Sequence, residues 1–385
     1  MISSSKIVQC KLCPKECKLH QGEKGDCRVR VNIGNKLYSL VYGKPCAVHI
    51  DPIEKKPMFH FLPGARAFSI ATAGCNLHCK FCQNWEISQT PPEETNNQDL
   101  LPSHVIQETL LAGCETIAFT YSDPMIYYEY TYDTAVIAKE KGIRNILVTA
   151  SYINPEPLKK LCKVIHGANV DIKSFEEKFY QNICGARLKP VLDALLIYKE
   201  EGVFVEITNL LVTSLNDDPK IIKKMCNWIF KEMGDDIPLH FSRFWPLYQL
   251  KNLPPTPVPS LITARQIAID SGLKYVYIGN VPGLDGENTY CPNCHNSIIR
   301  RIGFDVYNNL VLNRLKAEGF YVRIIRGKKM SEIYRRDFIK MIVSAFLGLL
   351  ISKIWTKKQD ESSSFEKAAD IGNEYKEAMF YKVFR

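Results

Sequence analysis

The chain opens MISSSKIVQC, with no apolar stretch of signal-peptide length before its first cysteine, so an export signal is not expected there. The apolar run from Met341 to Ile351 is too short to cross a bilayer, which takes about 20 residues. No block pairs dense basic residues with regular aromatics, so the formal net charge of +9 gives no case for nucleic-acid binding. The fourteen cysteines do not stand at disulfide-like distances; several form metal-like pairs. That usage points to a reducing compartment, the cytoplasm, with thiols serving metals. Apolar residues make up 46% of the 385, so most of the chain should fold, around one large core or two ordinary ones.

The stretch that organises the chain is AFSIATAGCNLHCKFCQNWEISQ, Ala67 to Gln89. A short apolar strand runs into an Ala73-Gly74 turn, followed by Cys75, Cys79 and Cys82. Three thiolates on one loop can each ligate a different iron of a [4Fe–4S] cube and leave the fourth iron open. The competing reading is a structural zinc site, which wants four ligands and would take His78 as the fourth.

Two further cysteine groups stand outside this loop. Cys10, Cys13, Cys17 and Cys27 lie in a segment broken by Pro14, Gly22 and Gly25, too short and polar to build its own core. A metal is a plausible staple there, as zinc or as a second Fe–S cluster. Cys291 and Cys294, in YCPNCH, form half a metal site that lacks a second C-x2-C partner downstream. The N-terminal cysteines and His295 are candidates to complete it. Asn32 to Tyr42 reads as a hairpin turning at Gly34-Asn35, and Asp51 to Gly64 as a loop. Lys55, Lys56 and His60 in that loop are either mouth-lining or simply solvated.

From residue 67 the pattern alternates. Strands are expected over 67–72, 116–120, 145–149, 169–172, 203–211, 239–244 and 275–278, with helices over 104–112, 128–141, 156–165, 188–201, 219–231 and 261–271. This is an α/β chain with a parallel sheet, curled as an open or partial barrel whose chemistry belongs at the C-terminal strand ends. The strand ends supply polar candidates: Ser122 and Asp123 before Pro124, Thr149 with Ser151, Asp171 and Lys173 flanking Ile172, and Arg243 or His240 with Ser242. Ser122 or Asp123 could equally cap a helix with Pro124 at its first position. Glu206, if it faces inward, needs a partner, with Lys173 and Arg243 the expected ones.

The C-x3-C-x2-C spacing, with Phe81 just before the last cysteine, resembles the radical S-adenosylmethionine (SAM) superfamily. The stretches EKKPMFHFLPG, GCNLHCKFCQNWEISQ, HFSRFWP and GNVPG resemble its AmmeMemoRadiSam-system branch, related to pyruvate formate-lyase activating enzyme. The likeness covers about residues 10 to 305. It implies a partial (β/α)6 TIM-like barrel of the radical SAM type behind a small Cys-rich N-terminal segment. The expected division is residues 1–66, 67–290 and 291–385.

The resemblance also implies roles. Cys75, Cys79 and Cys82 would hold the [4Fe–4S] cluster, and Phe81 would neighbour the SAM adenine. Ser122-Asp123-Pro124 stands where relatives carry Tyr-Asn-Glu-Pro, with a carboxylate one methylene shorter, facing the SAM amino group. Thr149 would touch the ribose or carboxylate, and Asn280 would sit near the adenine. Asp171, Lys173 and Arg243 are the catalytic candidates. The activity would be reductive cleavage of SAM to a 5′-deoxyadenosyl radical that abstracts hydrogen from a substrate. That substrate would be a protein or peptide, as in an activase, or else a small molecule. The electron would come from a reductant such as flavodoxin or ferredoxin. The alternative is a non-catalytic Fe–S or zinc scaffold or redox protein. Arg335-Arg336 and the apolar run after it suggest a fused tail, or else a buried or membrane-surface helix.

Overall fold

The computed structural model describes residues 7–281 and 283–309. The tail expectations, including Arg335, Arg336 and Met341 to Ile351, lie outside the described residues. Among those described, no helix is long and apolar enough to cross a membrane.

The centre is an eight-stranded sheet. Its strands are β1 Ala47–Pro52, β2 Arg66–Ala71, β3 Thr116–Phe119, β4 Arg144–Thr149, β5 Gly167–Asp171, β6 Phe204–Leu211, β7 Leu239–Arg243 and β8 Val276–Gly279. They lie side by side in chain order, β1 to β8. From β2 onward every neighbouring pair is parallel. Helices α1 Pro102–Leu111, α2 Tyr128–Glu140, α3 Pro155–Cys162, α4 Leu188–Glu200, α5 Pro219–Trp228 and α6 Val258–Asp270 make the crossovers. The seven expected strands and six expected helices are all there, each within a few residues of its expected bounds. Gly142 and Gly202 end α2 and α4 in left-handed conformations, φ 76° and 73°, as helix-stopping glycines do.

One strand of this sheet was not expected. β1 runs antiparallel to β2 along the sheet edge, pairing Ala47 with Ala71 and Pro52 with Arg66. Its AVHIDP sequence mixes His, Asp and Pro into the alternation, which hid it; proline is tolerated because it ends an edge strand. The hairpin at 30–39 is present and turns through Gly34 and Asn35, both at positive φ (58° and 62°), the twist-matched two-residue turn.

The sheet curls, because the loop leaving its edge strand β1 reaches across to β5, β6 and β8. Asn169 donates to Pro57 O at 2.8 Å. The amides of Phe59 and His60 donate to Glu206 at 2.9 and 2.8 Å, and His60 Nε2 lies 2.6 Å from the Tyr277 hydroxyl. This EKKPMFHFLPG loop therefore plugs the N-terminal end of the sheet. Its Ile53, Met58, Phe61 and Leu62 pack on inward-facing Ala67, Ala118, Ile146 and Phe204. Lys56 and His60 are buried and line no mouth. Outward-facing Ala168, Val170, Val205, Ile207 and Phe241 join the main core under the helices.

Glu206 does face inward, but its partners are not Lys173 and Arg243. It accepts the two loop amides and lies 2.8 Å from His240 Nε2. Strand alternation turns Arg243 to the opposite face from His240.

The hairpin beyond β8, β9 Thr289–Tyr290, β10 Ser297–Ile302 and β11 Asp305–Asn309, seals the plug. Arg301, fully buried, donates to Phe59 O at 2.6 Å, Thr289 Oγ1 at 2.9 Å and Glu287 O at 3.1 Å. Its Nε stands 3.6 Å from Glu54, too long for a hydrogen bond, and Arg301 Nε and Glu54 Oε2 have no other partner. Burial therefore outweighs the nearby guanidinium and pushes the Glu54 carboxyl up to about 7 from 4.5.

A carboxyl raised on folding contributes stability that is full below the unfolded value and lost as pH rises through the folded one. Wild-type unfolding free energy should thus fall between pH 4.5 and about 7 relative to Glu54→Gln. Parallel denaturant titrations across that window would show it; two parallel profiles would mean Glu54 ionises normally.

Candidate active site

The cluster loop leaves the C-terminal end of β2, and its path is set by what lies against it. Gly74 has φ 87°, and a Cβ there would stand 2.4 Å from Cys27 O and 2.6 Å from Val29 Cγ1. Only glycine lets the loop and the N-terminal segment approach this closely. The Gly74 amide donates to Ile87 O at 2.8 Å, closing the loop onto the short helix Trp85–Ser88.

Within the loop Cys79 is buried and Cys75 and Cys82 are partly so. Leu77 N–H donates to Cys75 Sγ at 3.4 Å, and Ser88 Oγ lies 3.2 Å from Cys82 Sγ. His78, which would complete a zinc site, is committed elsewhere. Its Nε2 is 2.9 Å from Asp26 and its Nδ1 is 3.1 Å from Gln89. Among the described residues, no three His, Cys, Asp or Glu side chains come together closely enough to hold a single metal ion.

Cys184 was missed by sequence reasoning. A π-helical turn, Tyr180–Cys184, ends at Gly185 in a left-handed conformation. The adjoining backbone runs beside the cluster loop: His78 N–H donates to Cys184 O at 2.7 Å and Lys80 N–H to Ile183 O at 3.0 Å. The Cys184 thiol hydrogen-bonds the Cys79 side chain and, with burial, raises the Cys79 thiol. A lone cysteine has no spacing motif, so no sequence signal marked it.

Opposite the loop stand the ends of β3, β4 and β5. Asp123 is buried and accepts from Met125 N at 3.0 Å, Thr149 Oγ1 at 3.0 Å and Ala150 N at 2.9 Å. Burial raises its carboxyl. These bonds tie β3 to β4; no helix starts here, since α2 begins at Tyr128, so the helix-cap reading of Ser122 and Asp123 does not hold. Ser122 Oγ donates to Thr72 O at 2.7 Å, joining the ends of β2 and β3. Ser151 stands by the Tyr198 hydroxyl at 3.1 Å.

Lys173 Nζ lies 2.7 Å from Asp171 and 5.9 Å from the centre of the Phe81 ring. Burial works against its charge, but the Asp171 carboxylate and the neighbouring Cys79 sulfur hold it well above the usual lysine range. Two buried oxygens have no partner here: Ser174 Oγ and Thr208 Oγ1. Thr208 pairs in register with Asp171, so both side chains share the inner face. Thiols on one loop, a charged lysine, aromatic Phe81 and buried polar atoms left open together fit an Fe–S cluster and a polar, charged cofactor.

Two candidates lie apart from this group. The Arg243 Nε donates to Thr256 O at 2.9 Å, and its guanidinium sits 4.5 Å above the Trp245 ring. Asn280, at φ 63°, donates weakly to Arg243 O at 3.4 Å. Cys291 packs with Ile298, Ile299 and Val306 near Tyr275, at the N-terminal end of the strands, while Cys294 is exposed. The N-terminal cysteines instead line a cavity with Asn76, at the opposite end.

Comparison with known proteins decides the family. The Radical SAM superfamily profile matches residues 69–229. An uncharacterized protein of Methanocaldococcus jannaschii is 46% identical over 306 residues, covering 80% of this chain and 90% of that one. The chain belongs to the radical SAM superfamily. It is also similar to the pyruvate formate-lyase-activating enzyme of Clostridium pasteurianum, 26% identical over 173 residues, 43% of this chain and 70% of the relative. Among solved structures, a domain of pyruvate-formate lyase-activating enzyme from Bacteroides vulgatus aligns at 19% identity and TM-score 0.37, over 42% of this chain and 98% of that one. Streptococcus suis SuiB bound to S-adenosylmethionine aligns at 12% identity and TM-score 0.45, over 62% and 56%. As a radical SAM enzyme, the protein has a family that uses a [4Fe–4S] cluster and SAM.

Two substitutions probe the loop. Gly74→Ala should lower stability by at least about 1–3 kcal/mol, the scale of local backbone strain, with the clash added; a denaturant midpoint unchanged from wild type would refute the close approach to Cys27. Cys184→Ala should keep the electron paramagnetic resonance signal of the reduced cluster and its response to SAM. If that signal vanished, Cys184 would be a ligand and no iron would be left open.

Proposed function

We propose that this radical SAM enzyme binds its cluster through Cys75, Cys79 and Cys82 and acts on a protein or peptide, in the manner of an activating enzyme. The observation that carries the reading is the donor set. Three thiols share one loop at the C-terminal strand ends, and the histidine between them, His78, is spent on Asp26 and Gln89. When bound, a three-thiolate [4Fe–4S] cluster leaves one iron for the SAM amino and carboxylate groups and supplies the electron that cleaves SAM to the 5′-deoxyadenosyl radical.

The chain's own residues bind and orient. Asp171 holds the Lys173 ammonium at 2.7 Å, beside Phe81, where it can donate a charge-assisted bond to a carboxylate. Asp123 has three of about four acceptor positions filled, and the one remaining suits an ammonium. Thr149 and Ser122 fix the walls around Asp123, and Asn280 would stand toward the adenine. Arg243, turned away toward Trp245, fits a peptide-contacting role better than one at the reacting atoms.

An aromatic pair, exposed at Trp85 and half-buried at Tyr248, supports the substrate class. Trp85 stacks on Tyr248 with ring centroids 5.3 Å apart and planes within 11°. Trp85 follows the last cluster cysteine, and Gln249 N–H donates to Lys80 O at 3.0 Å, so the pair flanks the cluster loop. An open apolar shelf beside the site suits a peptide. The free thiols suit the cytoplasm, and the electron would come from a donor such as flavodoxin or ferredoxin. The net chemistry is that of an oxidoreductase.

Anaerobically reconstituted, reduced protein should release 5′-deoxyadenosine from SAM, and Cys79→Ala should release none. Lys173→Ala should bind SAM roughly ten- to a hundred-fold more weakly, the worth of one charge-assisted hydrogen bond. A reduced cluster that never cleaves SAM would leave a non-catalytic scaffold instead.

A further inference from the structure

Residues 7–29 contain only two paired two-residue strands, Val8–Gln9 and Lys18–Leu19, yet Cys27 and Val29 pack closely on Gly74 of the cluster loop. At their centre is a cavity lined by Cys10, Cys13, Cys17 and Cys27, together with Arg30 and Asn76. None of the four cysteines is in a disulfide.

Each of the four sulfurs is met by a backbone amide. Leu12 N–H faces Cys10, Lys15 N–H faces Cys13, and Val29 N–H faces Cys27. Asp26 N–H donates to Cys17 Sγ at 3.5 Å. In three of the four the donor is two residues after the cysteine. The cluster loop repeats that pattern, with Leu77 N–H on Cys75 and Asn84 N–H on Cys82. Amide N–H groups aimed at sulfur are the hydrogen bonds that cluster sulfurs accept.

A second, independent feature points into the cavity. Arg30 is buried, 5% exposed, and its guanidinium forks onto Glu129 at 2.9 and 2.5 Å. Its Nε has no hydrogen-bond partner, and neither has Oδ1 of Asn76, 1% exposed. A buried guanidinium with one N–H unspent, lining a four-thiol cavity, leaves a place for an acceptor such as a cluster sulfur.

The size of the space chooses between metals. Four thiolates around zinc close to about 2.3 Å from the ion and leave no room between them. Here the four cysteines line a cavity with Leu12, Asn76 and Ile126, and no three donors among the described residues converge on one ion position. A Cβ on Gly25 would stand 3.8 Å from both Cys17 Sγ and Cys27 Sγ, so these sulfurs flank a gap.

We infer that Cys10, Cys13, Cys17 and Cys27 bind a second [4Fe–4S] cluster, with all four irons held by the protein and none open to SAM. This outer centre shares a wall with the inner one. Asn76, next in the chain to Cys75, lines the outer cavity, and Gly74 packs on the backbone of Cys27. The inference stands on the N-terminal donor set alone, and its test separates it from the radical reading.

The full chain carrying Cys75→Ala, Cys79→Ala and Cys82→Ala together, reconstituted anaerobically with ferrous iron and sulfide, should retain about four irons and four sulfides, against about eight of each in wild type. Its reduced paramagnetic resonance signal should not change when SAM is added. A triple variant without iron, or one taking zinc with sulfur neighbours at about 2.3 Å by X-ray absorption, would overturn the assignment. Should that variant fail to fold, the double variant Cys13→Ser, Cys17→Ser provides the complement. It should fall to about four irons while keeping the SAM-responsive signal, and full iron retention would equally overturn the assignment. Wild type with about eight irons but no SAM cleavage would uphold the outer cluster and remove the proposed function; about four irons with cleavage would do the reverse.

Discussion

The site depends on a backbone contact that leaves no space for a side chain. Gly74 turns the loop after β2 in a conformation that glycine adopts freely, and the backbone of Cys27 fills the place a Cβ would take. From that contact the rest follows in order. The cluster loop is pressed between the N-terminal segment on one side and the turn at Cys184 on the other. Cys75, Cys79 and Cys82 are then presented over the C-terminal ends of a parallel sheet, where backbone and side chains from several strands converge.

The two ends of the sheet do different work. The N-terminal end is filled by the loop after β1 and sealed by Arg301, with Glu206, His240, His60 and Tyr277 forming a buried hydrogen-bonded set. Polar groups buried in this way stay stable only when their partners are in place, which makes the plug a rigid floor. The C-terminal end keeps buried oxygens unpaired at Ser174 and Thr208, beside the Asp171–Lys173 ion pair. That ion pair and those oxygens stand at the C-terminal strand ends, where parallel α/β sheets of this kind carry their chemistry.

The motif EKKPMFHFLPG shows how a distinctive stretch can be structural. Its lysine and histidine invite a functional reading, yet Lys56 donates to Asp51 at 2.6 Å and His60 sits within the plug. Arg243 is similar in kind: one residue of strand alternation separates it from the inner face that His240 occupies. Cys291 and Cys294 share the Cys-x2-Cys pattern of metal sites but lie at the far end of the strands from the N-terminal four.

Local signals were enough for much of this protein. Apolar periodicity marked the alternating strands and helices of the main sheet, because each crossover unit buries its own stripe and carries its own stop signal, such as Gly142 and Gly202. Cysteine spacing marked the loop of Cys75, Cys79 and Cys82, because three thiols within one short stretch of chain need no distant partner. What the tertiary structure alone decided were pairings between residues far apart in sequence. These include Cys184 beside Cys79, Glu206 with the plug amides, β1 along the sheet edge, and four N-terminal sulfurs around one cavity with Asn76. Such contacts arise from how the sheet curls and which surfaces then meet, and no periodicity or spacing within one segment encodes them.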